Sequence, residues 1–391
     1  MSDTIAYLKQ QVKKNFQTYA IIMAMVVIWI LFSLLTDGRY IGPQNISNLF
    51  RQMVITSFLA VGMVLIMVTG NIDLSVGKLA GFVSVVVARF QANIWFKYIP
   101  DNEILSTTLS VLIGVGVGTI FEVLQGYLTA YLHIPAFIVT LGGAWVLNGG
   151  ILVITEGKTI PANQPMFSLI AQGYLSSMAG WIIAALITLF MVFSMLQGRR
   201  NKIKYGFKPL PMVIEIIRLV ALSVLIAIYV AIVNRYNGVQ IPVMLLAVTA
   251  VVMSYVSTNT PVGRYAYAIG GNREAARLSG VNINKNVFGV FVLMGLMCGI
   301  SGVVLASYVG YGTIAAGQGY ELDAIASTVL GGTSTLGGVG TIFGAIIGSL
   351  IMASLTSGLQ MLNVAAAWQY VLKGIVLVVA VYADVYLKKN R

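Results

Sequence analysis

The chain has 391 residues, of which 58% are hydrophobic and only 9% are charged, and its mean hydropathy is +0.89. Because soluble domains carry about 25% charged residues, this composition excludes an ordinary water-soluble globule and indicates a protein dissolved in lipid. The formal net charge is +12, from 24 basic and 12 acidic residues. The basic residues cluster at the ends of apolar runs, where they orient membrane helices, so nucleic acid is not expected as a partner.

Apolar runs recur along nearly the whole chain, and a helix needs about 20 apolar residues to cross the hydrocarbon layer. The first run exceeds the apolar core of about 7–15 residues found in cleavable signals, so we expect it to be a retained span. A weaker and shorter apolar piece lies at 324–330. The runs that qualify, or nearly so, are 19–35, 53–68, 79–96, 107–128, 134–154, 179–196, 214–233, 241–255, 287–308, 341–362 and 370–387. We therefore predict an all-α polytopic membrane protein with about ten transmembrane helices and one or two broken or re-entrant segments.

Lysine and arginine concentrate near the two chain ends and in two connections, which marks these segments as cytoplasmic. We therefore predict a cytoplasmic amino end at 1–18 and a single transmembrane domain at 19–391. Within that domain we expect a basic cytoplasmic loop at 197–213 and a second cytoplasmic loop at 259–286. The carboxyl end is predicted to be cytoplasmic as well.

Glycine is abundant, with 41 residues, and several glycines are spaced four apart inside apolar runs. Small residues at this spacing let the backbones of membrane helices approach closely. We therefore predict that these glycines serve packing, which says little about function. The pairs are Gly77 with Gly81, Gly295 with Gly299, and Gly344 with Gly348.

No signature of a soluble enzyme is visible. The segment Gly157-Lys158-Thr159 resembles the end of a phosphate-binding loop, but Leu152 stands where that loop requires glycine. Work driven by ATP must then depend on a partner. The lone Cys298 is expected to be an inert buried thiol, and the lone His133 lacks the companions of a metal site. We predict neither a metal nor a cofactor for this chain.

The segment Gly70–Gly77 interrupts the apolar pattern between two spans, and its glycines permit backbone turns. Asp73, with Ser75 nearby, can cap the helix that follows. The same residues, together with Asn71, could instead line a substrate path, because an acid at membrane depth is costly unless it faces a cavity or a partner. The sequence leaves both interpretations open.

Two further acids lie within or beside apolar runs. Glu122 is a functional candidate by default, unless it lies near a helix end and reaches the interface. Asp323, in Leu322-Asp323-Ala324, repeats the pattern of Ile72-Asp73-Leu74, as in transporters built from two related halves. The complete set of predicted substrate-path residues is Asn71, Asp73, Ser75, Glu122, Gln125 and Asp323.

The connection 259–286 predicts a short helix on the cytoplasmic side. Asn272 is a favourable N-cap, the helix is expected over 273–279, and Gly280 is its natural stop. A small helix flanked by glycines could dock in a groove on another protein, although a plain surface turn fits the pattern equally well. The residues concerned are Gly270, Gly271, Asn272, Arg273, Glu274, Ala275, Ala276, Arg277, Leu278 and Gly280.

Several stretches together resemble the permease subunits of ATP-binding-cassette importers for monosaccharides, the family of the ribose, galactose and xylose permeases. The xylose-type permeases are the most similar, since they share the chain length and the long basic insertion at 198–211. The stretches are Gly70–Gly77 (GNIDLSVG), Pro135–Gly142 (PAFIVTLG), Tyr267–Gly280 (YAIGGNREAARLSG), Gly331–Gly348 (GGTSTLGGVGTIFGAIIG) and Trp368–Tyr370 (WQY).

The resemblance implies a protein of the inner membrane that translocates a monosaccharide by alternating access and is not itself an enzyme. It implies a second permease copy, two ATPase subunits that bind ATP and magnesium, and an extracytoplasmic sugar-binding protein. Residues 271–280 would be the coupling helix that contacts the ATPase. The chain departs from the family pattern at Glu122, at Gln125-Gly126 and at Ser357-Gly358, so the sugar itself stays open.

Two alternatives belong to other classes. The first is a self-sufficient sugar carrier driven by a proton or sodium gradient, which would use Glu122 or Asp73; such a carrier has no need of a docking helix. The second is a membrane enzyme, which the absence of a nucleophile–base pair disfavours, since His133 is the only histidine.

Overall fold

A computed structural model describes residues 16–207 and 209–389, without the side chains of residues 16–20, 383–384 and 387–389. Most of the predicted cytoplasmic amino end, 1–18, therefore lies outside the described residues. Nearly all of the described secondary structure is helical. In chain order the helices are α1 (Phe16–Leu35), α2 (Pro43–Val68), α3 (Val76–Arg89), α4 (Glu103–Ala130), α5 (Ala136–Thr155), α6 (Pro165–Gln172), α7 (Ser177–Lys204), α8 (Met212–Val233), α9 (Ile241–Asn259), α10 (Pro261–Gly271), α11 (Arg273–Leu278), α12 (Ile283–Val309), α13 (Tyr320–Leu330), α14 (Ile342–Met361) and α15 (Ala366–Lys389).

Short pieces complete the backbone. A 3-10 turn, Arg39–Ile41, precedes α2, and α3 continues through a π-helical segment, Phe90–Trp95, to Tyr98. Two strands of two residues each, β1 (Ile160–Pro161) and β2 (Tyr311–Gly312), pair antiparallel.

Within the described residues, nine helices are long and apolar enough to cross a membrane, and α1 and α15 contain shorter apolar stretches. This confirms the predicted all-α polytopic membrane protein. The weak piece at 324–330 is part of α13, whose 11 residues extend only about 16 Å and cannot cross the hydrocarbon alone. Gly319, with φ of +80°, turns the chain into this half-helix.

Two helices are longer than their apolar runs predict. α2 begins at Pro43 rather than near residue 53, because a proline in the first turn favours helix initiation and the polar residues that follow stay helical. α7 continues to Lys204, so residues 197–204 of the predicted basic loop are helical. An apolar run marks only the part of a helix that can lie in lipid, whereas the helix itself can continue beyond it.

The core of the bundle forms around α2, which packs against α12, α14 and α13, and 78% of its most apolar 18 residues are buried. α7 and α8 lie at the periphery, and only 11% of the most apolar 18 residues of each helix are buried. The apolar side chains that α7 and α8 expose suit contact with lipid, because lipid is the expected solvent for such a surface.

Close glycine contacts join the helices, as predicted from the spaced pairs. A side chain at Gly118 on α4 would meet the Gly295 carbonyl oxygen and the Gly299 nitrogen of α12, each at 2.7 Å. Gly77 and Gly81 abut the backbone at 316–317, and Gly344 and Gly348 abut the end of α13. The predicted packing role of the three glycine pairs is confirmed.

Candidate functional site

The connection 259–286 folds into two helices. Thr260 accepts a hydrogen bond from the Gly263 N–H at the start of α10, whose buried face includes Ala266 and Ile269. Asn272 then begins α11, and its Oδ1 accepts from the Ala275 N–H at 2.9 Å. The short helix and its N-cap are confirmed, whereas α10 itself was missed because glycines dilute its apolar pattern.

The outer face of α11 is exposed. Leu278 is 77% exposed and presents an apolar surface on this helix. Glu274 and Arg277 form an ion pair of 2.6 Å on the same surface, with more than 60% of each side chain exposed. Such an intrahelical pair contributes only about 0.2–0.5 kcal/mol, so these side chains are available to a partner at little cost to the fold.

The inner face of α10 is clamped against two other elements. Gly270 lies against the carbonyl oxygen of Val68, the last residue of α2, and against the nitrogen of Gly338. The Gly338 N–H donates to that same Val68 oxygen at 2.9 Å. Gly338 belongs to the loop 331–341 between α13 and α14, so α10 contacts both the end of α2 and the loop that follows α13.

A side-chain bond secures the same junction. The hydroxyl of Tyr267 donates to the Gly340 carbonyl oxygen at 2.8 Å. Tyr267 lies in α10, outside the apolar spans, and burial raises the pKa of its phenol. The hydroxyl therefore keeps its proton and remains a donor across the physiological pH range.

A cavity of about 430 Å³ lies between the middle of α2 and the first turn of α13, and it is called the central cavity below. Its walls come from α2, α13, α14 and α15 and from the residues just before α13. Polar side chains contribute at one-turn intervals from three helices. These pairs are Gln52 and Thr56 on α2, Thr356 and Gln360 on α14, and Gln369 and Lys373 on α15.

An ion pair lies in the wall of the central cavity. Lys373 Nζ donates to Asp323 Oδ2 at 2.8 Å, with 22% and 10% of the two side chains exposed. Asp323 is one of the predicted path residues and stands in the first turn of α13. Lys373 was missed, although a lone basic residue in an apolar span signals a function.

Four other predicted path residues come together elsewhere, in a cluster with no more than 3% exposure. Asp73 Oδ1 accepts from the Ser75 backbone N–H at 2.8 Å and from the Ser75 hydroxyl at 2.7 Å. Gln125 Nε2 donates to Ser75 Oγ at 2.8 Å and to Glu122 Oε1 at 3.1 Å. The cluster holds the non-helical segment between α2 and α3 against α4.

This buried cluster lines neither the central cavity nor the smaller one described below. Ser75, not Asp73, occupies the N-cap position of α3, so Asp73 stabilises the turn before the helix rather than the helix's first turn. Among the described residues, no group of three or more His, Cys, Asp or Glu side chains is placed to hold a metal ion.

Asn71 is separate from both groups. Its Nδ2 donates to Thr69 Oγ1 at 2.9 Å, and it lines a polar cavity of about 140 Å³ together with His133, Arg273 and Asn284. Arg273 is the first residue of α11, so this small cavity lies directly behind the exposed helix. The structure thus divides the predicted path residues among three places.

Comparison with known proteins assigns the chain to a family. A family model described as "Branched-chain amino acid transport system / permease component" matches residues 45–381. The xylose transport system permease protein XylH of Haemophilus influenzae is 40% identical over 96% of this chain and 98% of its own length. XylH of Escherichia coli K12 is likewise 40% identical, over 96% and 93%.

The ribose import permease protein RbsC of Escherichia coli K12 is 30% identical over 93% of this chain and 92% of its own length. No solved structure matches the chain. The family model and the relatives cover nearly all of the described helices, which confirms the resemblance found in the sequence. The chain therefore belongs to this family of transport-system permease components.

Proposed function

We propose that this chain is the permease subunit of an ATP-driven importer and translocates a monosaccharide, of the xylose type, by alternating access. The observation that carries the proposal is α11, a capped and exposed helix whose neighbour α10 packs against the end of α2 and the loop that follows α13. A partner that moves α11 acts directly on α2, and on α13 through the loop that follows it. Those helices also form two walls of the central cavity.

The partner at α11 is an ATPase that binds ATP and magnesium, because the sequence has no phosphate loop of its own. Leu278 supplies an apolar contact, and Glu274 and Arg277 supply charges that can exchange their mutual pairing for a partner's. The complete importer contains two permease copies, two ATPase subunits and an extracytoplasmic sugar-binding protein. This end of the bundle faces the cytoplasm, as do both chain ends.

The sugar assignment rests on the relatives. XylH, at 40% identity, is named for xylose transport, and RbsC, at 30% identity, for ribose import. A pore that passes such sugars needs polar groups that bind hydroxyls weakly enough to release them. The amides and hydroxyls of the central cavity have this character.

Uptake in proteoliposomes tests the proposal. The chain is reconstituted with its ATPase, the binding protein is added outside, ATP is enclosed, and radiolabelled D-xylose uptake is measured. Uptake is expected only with all three proteins and ATP, and it should be indifferent to proton and sodium gradients. If the chain alone accumulates xylose on an ion gradient, the proposal is wrong and the carrier that uses Glu122 or Asp73 is favoured.

A further inference from the structure

The central cavity has an apolar lining interrupted by several polar side chains. Each of α2, α14 and α15 contributes two polar residues spaced four apart, and this spacing places both on one face of a helix. All three polar pairs therefore contribute to the lining of the same cavity. Polar side chains in this number are expensive in a lipid-embedded bundle unless a polar ligand or water meets them.

Several of these groups have unused hydrogen-bonding capacity. Within the part of the chain that the structure describes, nothing bonds to the side-chain amides of Gln52 and Gln360. Lys373 directs one N–H to Asp323, and an ammonium group has three. Asp323 uses Oδ2 in that bond and keeps Oδ1.

This set of groups matches a neutral polyol. Each hydroxyl of a sugar both donates and accepts, and an amide offers the same combination. The Asp323–Lys373 pair adds one charged acceptor and one charged donor without a net charge, so it does not select an ionic ligand. Tyr320 and Tyr370 also line the cavity, and their rings offer apolar surfaces for the C–H face of a sugar ring.

The size agrees with this chemistry. The volume of about 430 Å³ lies at the lower end of the range of roughly 300–1,000 Å³ for small-molecule sites. The half-helix α13 begins at the cavity, and discontinuous helices commonly form substrate sites near the middle of transporters.

From these observations we infer that the central cavity is a resting site for a monosaccharide inside the permease, with the Asp323–Lys373 pair and the amides of Gln52 and Gln360 as its hydroxyl-binding groups. The inference deepens the proposed function and rests on it. Binding is weak, because the amides are neutral and Gln360 is exposed, and weak binding permits release.

Protection of an introduced cysteine tests the site directly. The chain's single cysteine, Cys298, is buried, so a second one can be followed with maleimide. Thr356→Cys places the reporter in the cavity wall. Thr108→Cys, on the exposed face of α4, is the matched control, since both hydroxyls bond only to a backbone oxygen one turn earlier.

The labelling is measured on the detergent-solubilised permease–ATPase complex without ATP, in increasing D-xylose. At Thr356→Cys, the rate should fall by the factor 1 + [xylose]/Kd, about tenfold at roughly ten times Kd, whereas the control should not change. Gln360→Leu, at an exposed position that does not endanger folding, should weaken the protection. Asp323→Asn should weaken it further.

The outcomes separate this site from the proposed function. Labelling at Thr356→Cys that is insensitive to xylose, in a complex that still pumps xylose with ATP, overturns the resting site and leaves the importer intact. Protection that Gln360→Leu and Asp323→Asn abolish supports the resting site even if ATP-driven uptake fails.

Discussion

The clamp on Gly270 makes a sharp prediction for a single methyl group. A Cβ added to Gly270 would overlap the Val68 carbonyl oxygen and lie 2.5 Å from the Gly338 nitrogen. Both are backbone atoms, so neither can rotate away. Overpacking of this kind costs about 1–3 kcal/mol, which shifts an equilibrium between two arrangements by roughly 5- to 150-fold. Gly270→Ala should therefore push α10 away from the end of α2 and from the loop that follows α13.

Gly271→Ala is the matched control, because a Cβ there meets nothing within 4 Å. The two substitutions are adjacent and share the gain of about 1 kcal/mol or less in helix propensity. Xylose uptake and ATP hydrolysis are measured together in the reconstituted importer. Gly270→Ala should lose most uptake per ATP hydrolysed while its membrane level stays normal, and Gly271→Ala should behave as the parent chain. Equal coupling in the two variants would refute the idea that the contacts of Gly270 transmit the movement of α11 to the rest of the permease.

Further substitutions test other parts of the account. Replacing Glu274 and Arg277 together by alanine should uncouple ATP hydrolysis from uptake with little loss of stability. Alanine at Glu156 and Lys158, a similarly exposed pair, should change neither the uptake per ATP hydrolysed nor the stability. Leu278→Asp should abolish co-purification of the ATPase, because it places a charge on the 77% exposed apolar contact; retention of the ATPase would show that α11 is not the docking helix. Glu122→Gln should preserve ATP-driven uptake, because the amide oxygen can still accept the hydrogen bonds from Ser75 and Gln125 and the residue lines neither cavity. A loss of uptake in a stable variant would indicate that Glu122 takes part in the substrate path. Gly118→Ala should lower the free energy of unfolding by about 1–3 kcal/mol through its contact with α12, and Gly116→Ala on the same helix, which meets nothing within 4 Å, should not; equal stability of the two would contradict the predicted packing.

Local chemistry made part of the site predictable from the sequence. Asn272 followed by a short polar helix and Gly280 is a capping pattern that depends only on neighbours along the chain. The structure reproduces it, with the Asn272 cap at 2.9 Å and Gly280 at φ of +83°. The number and type of the spans also followed from apolar length alone.

Contacts between residues far apart in the chain could not be predicted from the sequence. Nothing near Gly270 indicates that Val68 and Gly338 enclose it, because the three residues lie far apart in the chain and meet only when the bundle assembles. The contact between Glu122 and Ser75 is of the same kind.

Lys373 is a different case, because its signal was present. A single basic residue stands in the final apolar run, and the polar pairs Gln52 with Thr56 and Thr356 with Gln360 repeat at the spacing of one helical turn. What the sequence lacked was the arrangement that brings these faces together around one cavity.

The central claim is that α11 transmits the action of a separate ATPase to the central cavity through α10, α2 and α13. The most direct measurement is the maleimide labelling rate of Thr356→Cys in the membrane-embedded complex, with and without a non-hydrolysable ATP analogue. The account predicts that nucleotide changes this rate and that adding Gly270→Ala removes the change, while Gly271→Ala does not. A labelling rate that responds to nucleotide equally in all three backgrounds would contradict it.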